Sequence, residues 1–313
     1  MIVTLTINPA IDRNVLADRL VFDDRAYILE TSEAAGGRGI ISSSVIHAFG
    51  GKTIAIATAG GENGPRFKEL LGNHSFPVHF VPIRHSIRNN LTITDKNGLS
   101  VKLNELGSPM SPEELDKVEQ TVLSRLPKAD WLMLCGSVPP GVPPDFYQRI
   151  IRLAQKQGVQ TLLDTDNQPL ELGLEAEPTV VSPNQQEAER LLNRALLTRN
   201  NFLDAVERIL DMGAQSVVLS LGSRGAIGGI RTDSGVRVWE AIAPRIDALS
   251  PIGAGDALAA AFVWARKKKK EFWEAVRWGV AAGSASAQLP GLQLANLDQA
   301  KQIYKLVEVR PVK

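Results

Sequence analysis

Two glycines bracket an alanine, and an aspartate follows at once, in Gly253-Ala254-Gly255-Asp256. The run from Asp256 to Lys270 is rich in alanine and leucine and ends in Arg266-Lys267-Lys268-Lys269-Lys270. Acid at its start and base at its end suit a helix dipole. Small residues ahead of the first turn let the unpaired N–H groups of a helix N-terminus approach an anion closely. A carboxylate beside such an anion hole can take a proton from an incoming hydroxyl, an arrangement that suits phosphoryl transfer. A plain glycine turn with an acidic cap fits this stretch equally well when it is taken alone.

Other stretches carry groups that bind. Asn8-Pro9-Ala10-Ile11-Asp12 leaves the first predicted strand where sites gather in α/β folds, and Asp12 either holds substrate hydroxyls or closes a turn. Ala34-Ala35-Gly36-Gly37-Arg38-Gly39 lets backbone approach a ligand, and Arg38 can pair with a phosphate through two N–H groups. Arg88 brings charge to an alternating segment, or is an exposed strand arginine. Gly51-Lys52-Thr53 imitates the end of a Walker A loop, but the glycine such a loop needs is replaced by Ile46, so a helix–strand turn is the reading there.

These groups need a framework to hold them. Residues 1–7, 53–58, 78–83, 131–135, 160–164, 179–182 and 216–221 read as strands, and 226–230 with 236–241 as a strand pair. Helices are expected over 40–49, 65–71, 112–126, 145–157, 183–194, 202–212, 256–270 and 273–289. Ser111, Pro112 and Glu114 have the pattern of a capping box with proline at the first helical position. From residue 112 onward the strand–helix alternation argues for a parallel sheet covered by helices. A strand pair within 14–34 and an alternating segment at 87–99 with an Asn97-Gly98 turn predict a small antiparallel sheet, a candidate lid. The expected architecture is one α/β domain over 1–313 with a mainly parallel central sheet and a β lid formed by about 12–34 and 87–105.

Bulk properties exclude several classes. A formal net charge of +1 gives no broad basic field, so nucleic acid is not an expected partner, and the basic run 266–270 reads as a solvated helix end. The one cysteine, Cys135, lies in the apolar run Trp131-Leu132-Met133-Leu134-Cys135 and reads as a buried core thiol. The four histidines, His47, His74, His79 and His85, form no metal-ligand pattern. No apolar stretch reaches membrane length, and the expected location is cytoplasmic.

In this order the motifs resemble the ribokinase-like sugar kinases of the PfkB family, in particular the branch of 1-phosphofructokinase and tagatose-6-phosphate kinase. The likeness rests on Thr4-Leu5-Thr6-Ile7-Asn8-Pro9-Ala10-Ile11-Asp12, Gly36-Gly37-Arg38-Gly39, Gly136-Ser137-Val138-Pro139-Pro140-Gly141-Val142-Pro143 and Leu163-Asp164-Thr165. Asn184 with Glu187, Ser220-Leu221-Gly222 with Gly225, and Gly253-Ala254-Gly255-Asp256 complete it. The resemblance implies a ribokinase-like fold and transfer of a phosphoryl group from ATP, with Mg²⁺, to a phosphorylated ketohexose. It implies Asp256 as general base and the N–H groups of Gly253, Ala254 and Gly255 as the anion hole. Asp12, Gly37, Arg38, Arg88, Asn90 and Ser137 would bind the sugar phosphate. Asn184, Ser220, Gly222, Gly225 and Gly283 would bind the nucleotide, and Glu187 and Asp164 would arrange the magnesium ion through water. A homodimer clasped through the lid is also implied.

The chain departs from the family pattern at Ile41, where an asparagine is usual, at Ser182, where a lysine is usual, and at Arg38, which replaces a lysine. Ile41 cannot hydrogen-bond, and losing a buried polar contact weakens binding by roughly 1–3 kcal/mol when its partner is left unpaired. Two alternatives therefore stay open. One is a kinase for an unphosphorylated sugar or nucleoside; the other is a catalytically weak sensor of sugar phosphates or nucleotides.

Overall fold

The structure, a computed structural model, describes residues 1–72 and 75–312; His74 lies outside them. The chain runs β1 (Ile2–Thr6), β2 (Ala10–Ala17), β3 (Ile28–Gly36), α1 (Arg38–Ala48), β4 (Thr53–Gly60), α2 (Gly64–Leu71), β5 (Val78–Ile83), β6 (Arg88–Asp95) and β7 (Ser100–Asn104). It continues α3 (Pro112–Arg125), β8 (Trp131–Cys135), α4 (Phe146–Lys156), β9 (Gln160–Asp164), α5 (Asn167–Leu174), β10 (Val180–Val181), α6 (Gln185–Leu191) and α7 (Arg199–Asp211). The last part is β11 (Ser216–Ser220), β12 (Gly225–Thr232), β13 (Gly235–Ile242), α8 (Ala254–Lys267), α9 (Phe272–Ala287), α10 (Leu297–Tyr304) and β14 (Glu308–Pro311).

Ten strands form the main sheet in the order β14-β13-β12-β11-β10-β9-β8-β1-β4-β5. Every pairing from β11 to β5 is parallel, and β12, β13 and β14 extend it antiparallel. Strand alternation sends Leu132 and Leu134 of β8 into the core under α3, α4 and α7, and Trp131, Met133 and Cys135 into the core under α1, α8 and α9. Burial on both faces explains why these strands read as unbroken apolar runs. Cys135 is a fully buried core thiol, as expected. The capping box Ser111–Glu114 forms, with both reciprocal bonds present. The basic helix end is half-buried at Arg266 and Lys267 and exposed from Lys268 to Lys270; Lys267 pairs with Asp130, Lys270 with Glu274, and Lys268 lies over Trp264.

The second sheet has the order β3-β2-β6-β7. Its outer pairings are antiparallel, but β2 and β6 run parallel at its centre. The reason is topological: each enters the small sheet after a parallel strand of the main sheet, β1 and β5, so both run the same way.

Three elements escape the sequence expectation: α5, α10 and β14. In α5, Pro169 and Gly173 look like helix breakers, yet a Cβ on Gly173 would stand 2.4 Å from Leu163 Cδ2. That glycine permits close approach to β9. Gly279 and Gly283 of α9 do the same against α8. A Cβ would meet Leu258 O at 2.9 Å from the first and Ala254 O at 2.9 Å from the second. Gly283 thus seats α9 on the first turn of α8. Gly283→Val overpacks that contact and lowers stability by about 1–3 kcal/mol; urea unfolding would read this as a lower midpoint at an unchanged slope.

Candidate active site

The N-terminal turn of α8, the loop before α1, the ends of β8 and β9, the start of α6 and the root of the small sheet meet at the carboxyl ends of the central strands of the main sheet. Gly253 precedes α8 with φ 76°, a left-handed conformation that favours glycine, and its carbonyl accepts from Ala257 N–H. The first N–H groups of a helix have no acceptor within it. A Cβ on Gly255 would meet nothing within 4 Å, so the cleft is open beside this turn. Asp256 is half-buried in the same turn. Its carboxyl is pushed up to about 7, first by desolvation and then by repulsion from Asp164, against the pull of Arg38.

Arg38 opens α1 after Gly37, whose φ is 135°. Its Nη1 donates to Asp164 Oδ1 at 2.6 Å and its Nη2 to Glu187 Oε1 at 2.9 Å. Asp166 Oδ2 lies 3.7 Å from Nη2. Desolvation works against the guanidinium's charge, but Asp164, Glu187 and Asp256 outweigh it and hold Arg38 cationic. Glu187 Oε2 accepts from Asn184 N–H at 2.9 Å, one half of a capping box at the start of α6. Burial raises the Glu187 carboxyl while Arg38 opposes the shift.

Asp164 and Glu187 are hard oxygen donors, the right chemistry for magnesium. Arg38 nevertheless takes one oxygen of each, and the Asn184 N–H takes the other oxygen of Glu187. Among the described residues, no group of three or more His, Cys, Asp or Glu side chains converges to hold an ion. The residues present do not form a ready metal site; a guanidinium stands beside the carboxylates where the family resemblance implied a hydrated ion.

On the small sheet, Asp12 and Asn90 are register partners, and Asn90 Nδ2 donates to Asp12 Oδ1 at 2.8 Å. Burial raises the Asp12 carboxyl, opposed by that bond and by Arg88. A Cβ on Gly36 would fall 2.1 Å from Asp12 Oδ2, so the glycine makes room for the carboxylate. Arg88 Nη1 donates to Glu105 O at 2.8 Å, and desolvation lowers the guanidinium. Ser137 Oγ accepts from Asn8 Nδ2 at 3.2 Å, and Asn8 also reaches Leu106 O at 3.0 Å.

On the other side, a bridge joins Asn184 to Ser220, and Ser220 N–H donates to Pro183 O at 3.0 Å. Gly222 and Gly225 take φ 60° and 104° at the turn that follows β11. Gly283 lies against α8, facing Ala254 and Leu258. Ile41 is buried against the helix start: the position of a Cβ on Gly253 is 3.6 Å from Ile41 Cγ2 and 3.4 Å from Leu294 Cδ2. Ser182 is buried too, its N–H on Leu163 O. Sequence reasoning did not single out Asp166 or Asn8. The spacing Asp164-Thr165-Asp166 and the Asn8-Pro9 strand stop were the available signals.

The pfkB family carbohydrate kinase family matches residues 3–299 of this chain. The ATP-dependent 6-phosphofructokinase isozyme 2 of Escherichia coli is 30% identical over 306 residues, 97% of each protein. A tagatose-6-phosphate kinase of Staphylococcus epidermidis is 29% identical over 99% of each. The crystal structure of Escherichia coli phosphofructokinase-2 with substrates and products superposes with a TM-score of 0.89 at 30% identity, covering 97% of this chain and 98% of that one.

The raised Asp256 carboxyl has a consequence for stability. Its folded value of about 7 lies above the ordinary 3.8, so the fold binds the proton more tightly than the unfolded chain does. Its contribution is retained below the unfolded value and lost as pH rises through the folded one. Asp256→Asn escapes that loss, and at about pH 8 it is more stable than the wild type by about 1–3 kcal/mol, allowing for solvent in the cleft. The gap closes towards pH 3.8, the ordinary carboxyl value; paired thermal unfolding across pH measures it.

Proposed function

The chain belongs to the pfkB family of carbohydrate kinases, and we propose that it transfers the γ-phosphoryl group of ATP to a free hydroxyl of a phosphorylated ketohexose, of the fructose 1-phosphate or tagatose 6-phosphate type. One observation carries this reading. Asp256, with a carboxyl near 7, stands in the first turn of α8, next to a Gly255 whose Cβ position is open. A base poised near the working pH is suited to take the acceptor's proton. The N–H groups of Gly253, Ala254 and Gly255 would hold the charge developing on the phosphoryl group, a contribution of about 3 kcal/mol per donor in other systems.

Acceptor recognition is assigned to the small-sheet side of the cleft. Asp12 and Asn90, already joined, would grip sugar hydroxyls, Arg88 would meet the phosphate, and Gly37 and Ser137 would close the pocket. The nucleotide would lie along Asn184, Ser220, Gly222 and Gly225. The cleft carries Asp12, Asp164, Asp166, Glu187 and Asp256 against Arg38 and Arg88, so an anionic nucleotide needs its own counter-ion, and magnesium is the expected one. The names of the relatives support the class of acceptor and of donor. An unphosphorylated acceptor is the second reading, favoured by Arg38 having both guanidinium ends on carboxylates instead of free for a phosphate.

The small sheet would also join two copies. Its register sorts residues onto two faces. Asp12, Asn90, Arg88 and Lys102 share the cleft face, whereas Val15, Leu91, Ile93, Val101 and Leu103 share the other. On that face Val101 and Leu103 are 41% and 55% exposed, and Ile28 and Leu29 of the opposite edge strand β3 are exposed too. A second lid is the occupant this face fits. Among the described residues no helix is long and apolar enough to cross a membrane.

An ADP-release assay over a panel of sugars and sugar phosphates tests the activity. Turnover of a phosphorylated ketohexose supports it; turnover of free sugars alone replaces it with the second reading. Asp256→Asn cuts kcat by about 10²–10⁴-fold, and the wild-type rate rises through a limb near 7, where the base loses its proton. Arg88→Met raises KM for the phosphorylated acceptor by roughly tenfold, the effect of losing about 1.4 kcal/mol, and leaves KM for ATP unchanged. Leu103→Asp puts a charge on the exposed β7 edge of the lid's apolar face, and sedimentation reads a fall from two chains to one.

A further inference from the structure

We propose that Arg38 is a built-in cation that occupies the electrostatic place of a protein-held divalent metal between Asp164 and Glu187, so that this chain takes up a divalent ion only as part of its nucleotide. The inference concerns the site of the proposed kinase reaction and rests on that reading for its functional meaning. Its physical basis is independent. The guanidinium spans two carboxylates from different segments, with Nη1 2.6 Å from Asp164 Oδ1 and Nη2 2.9 Å from Glu187 Oε1. Those side chains are 8% and 2% exposed, so neither charge is offset by bulk water. Glu187 has a donor on each oxygen, since Asn184 N–H takes Oε2.

A guanidinium has no lone pair to offer a metal, stays charged, and presents its donors as a rigid fork. It therefore competes with a dication for this place: it takes one oxygen of each carboxylate and repels the charge. A lysine ammonium is a compact point charge and does not match two carboxylates in this way. Arg38 is thus a positioning residue: it fixes Asp164 and Glu187 in the cleft wall and keeps free metal out. With the wall preset, the ion that matters is the one riding on the nucleotide phosphates.

The test uses the full chain without nucleotide or sugar, and Mn²⁺ as the probe, with free Mn²⁺ read by electron paramagnetic resonance. Wild type should leave Mn²⁺ free into the millimolar range. Arg38→Met should create one site per chain, tighter by about 10–100-fold, that disappears when Glu187→Gln is added. Arg38→Lys should fall between. Mn²⁺ should raise the Tm of Arg38→Met and leave that of the wild type unchanged. A single tight Mn²⁺ site in the wild type, lost in Glu187→Gln, overturns the proposal. So does an Arg38→Met chain that is less stable yet gains no Mn²⁺, the result of a purely structural ion pair. Should Arg38→Met fail to fold, the wild-type and Arg38→Lys titrations decide. No turnover is measured here, so the absence of kinase activity on every acceptor would sink the functional reading and leave these binding results standing.

Discussion

The guanidinium of Arg38 is the contact on which the site depends. It ties the first turn of α1 to the end of β9 and the first turn of α6, across 126 and 149 residues of sequence. Asp164 and Glu187 are buried, and Asp166 is 3.7 Å from the same guanidinium. Without a cation between them, these charges would repel one another in a poorly solvated place, where an unpaired charge costs about 3–5 kcal/mol. The arginine settles that conflict with one side chain whose planar fork reaches two carboxylates.

The same charges set the state of Asp256. Arg38 pulls its carboxyl down, but desolvation and Asp164 push harder, so it titrates near neutrality instead of staying an ordinary acid. The N–H groups beside it are offered by a left-handed Gly253 and an open Gly255. Their direction is fixed from behind by α9, which approaches through Gly279 and Gly283. Close glycine packing is what holds that helix end against α9. Ile41 and Leu294 fill the space beside Gly253 with hydrocarbon, so the polar group that resembling kinases carry at position 41 has no counterpart here.

The small sheet works by its two faces. Strand alternation places Asp12, Arg88 and Asn90 on the cleft side and Val15, Leu91 and Leu103 on the other. One element thereby carries a polar surface towards the cleft and an apolar surface on its other side. Asn8 joins it to the main body, bonding both Ser137 at the end of β8 and the backbone at Leu106.

Much of this was legible in the sequence because it is written in local signals. Apolar runs mark the buried strands, Ser111 and Glu114 mark a helix start, Asn97-Gly98 marks a hairpin, and Gly253-Ala254-Gly255-Asp256 marks the start of α8. The helix α5 was hidden because Gly173 looks like a breaker until β9 is seen pressed against it. The parallel pairing of β2 with β6 was hidden because alternation gives faces, not directions. Arg38 reads from the sequence as a cation for a phosphate, but its carboxylate partners were not legible, since they depend on strand order bringing β9 and α6 beside α1. The sequence by itself determined which chemical groups are present and which local elements carry them. Only the tertiary structure decided which charges face one another, because Coulomb energies depend on distances that chain spacing does not encode.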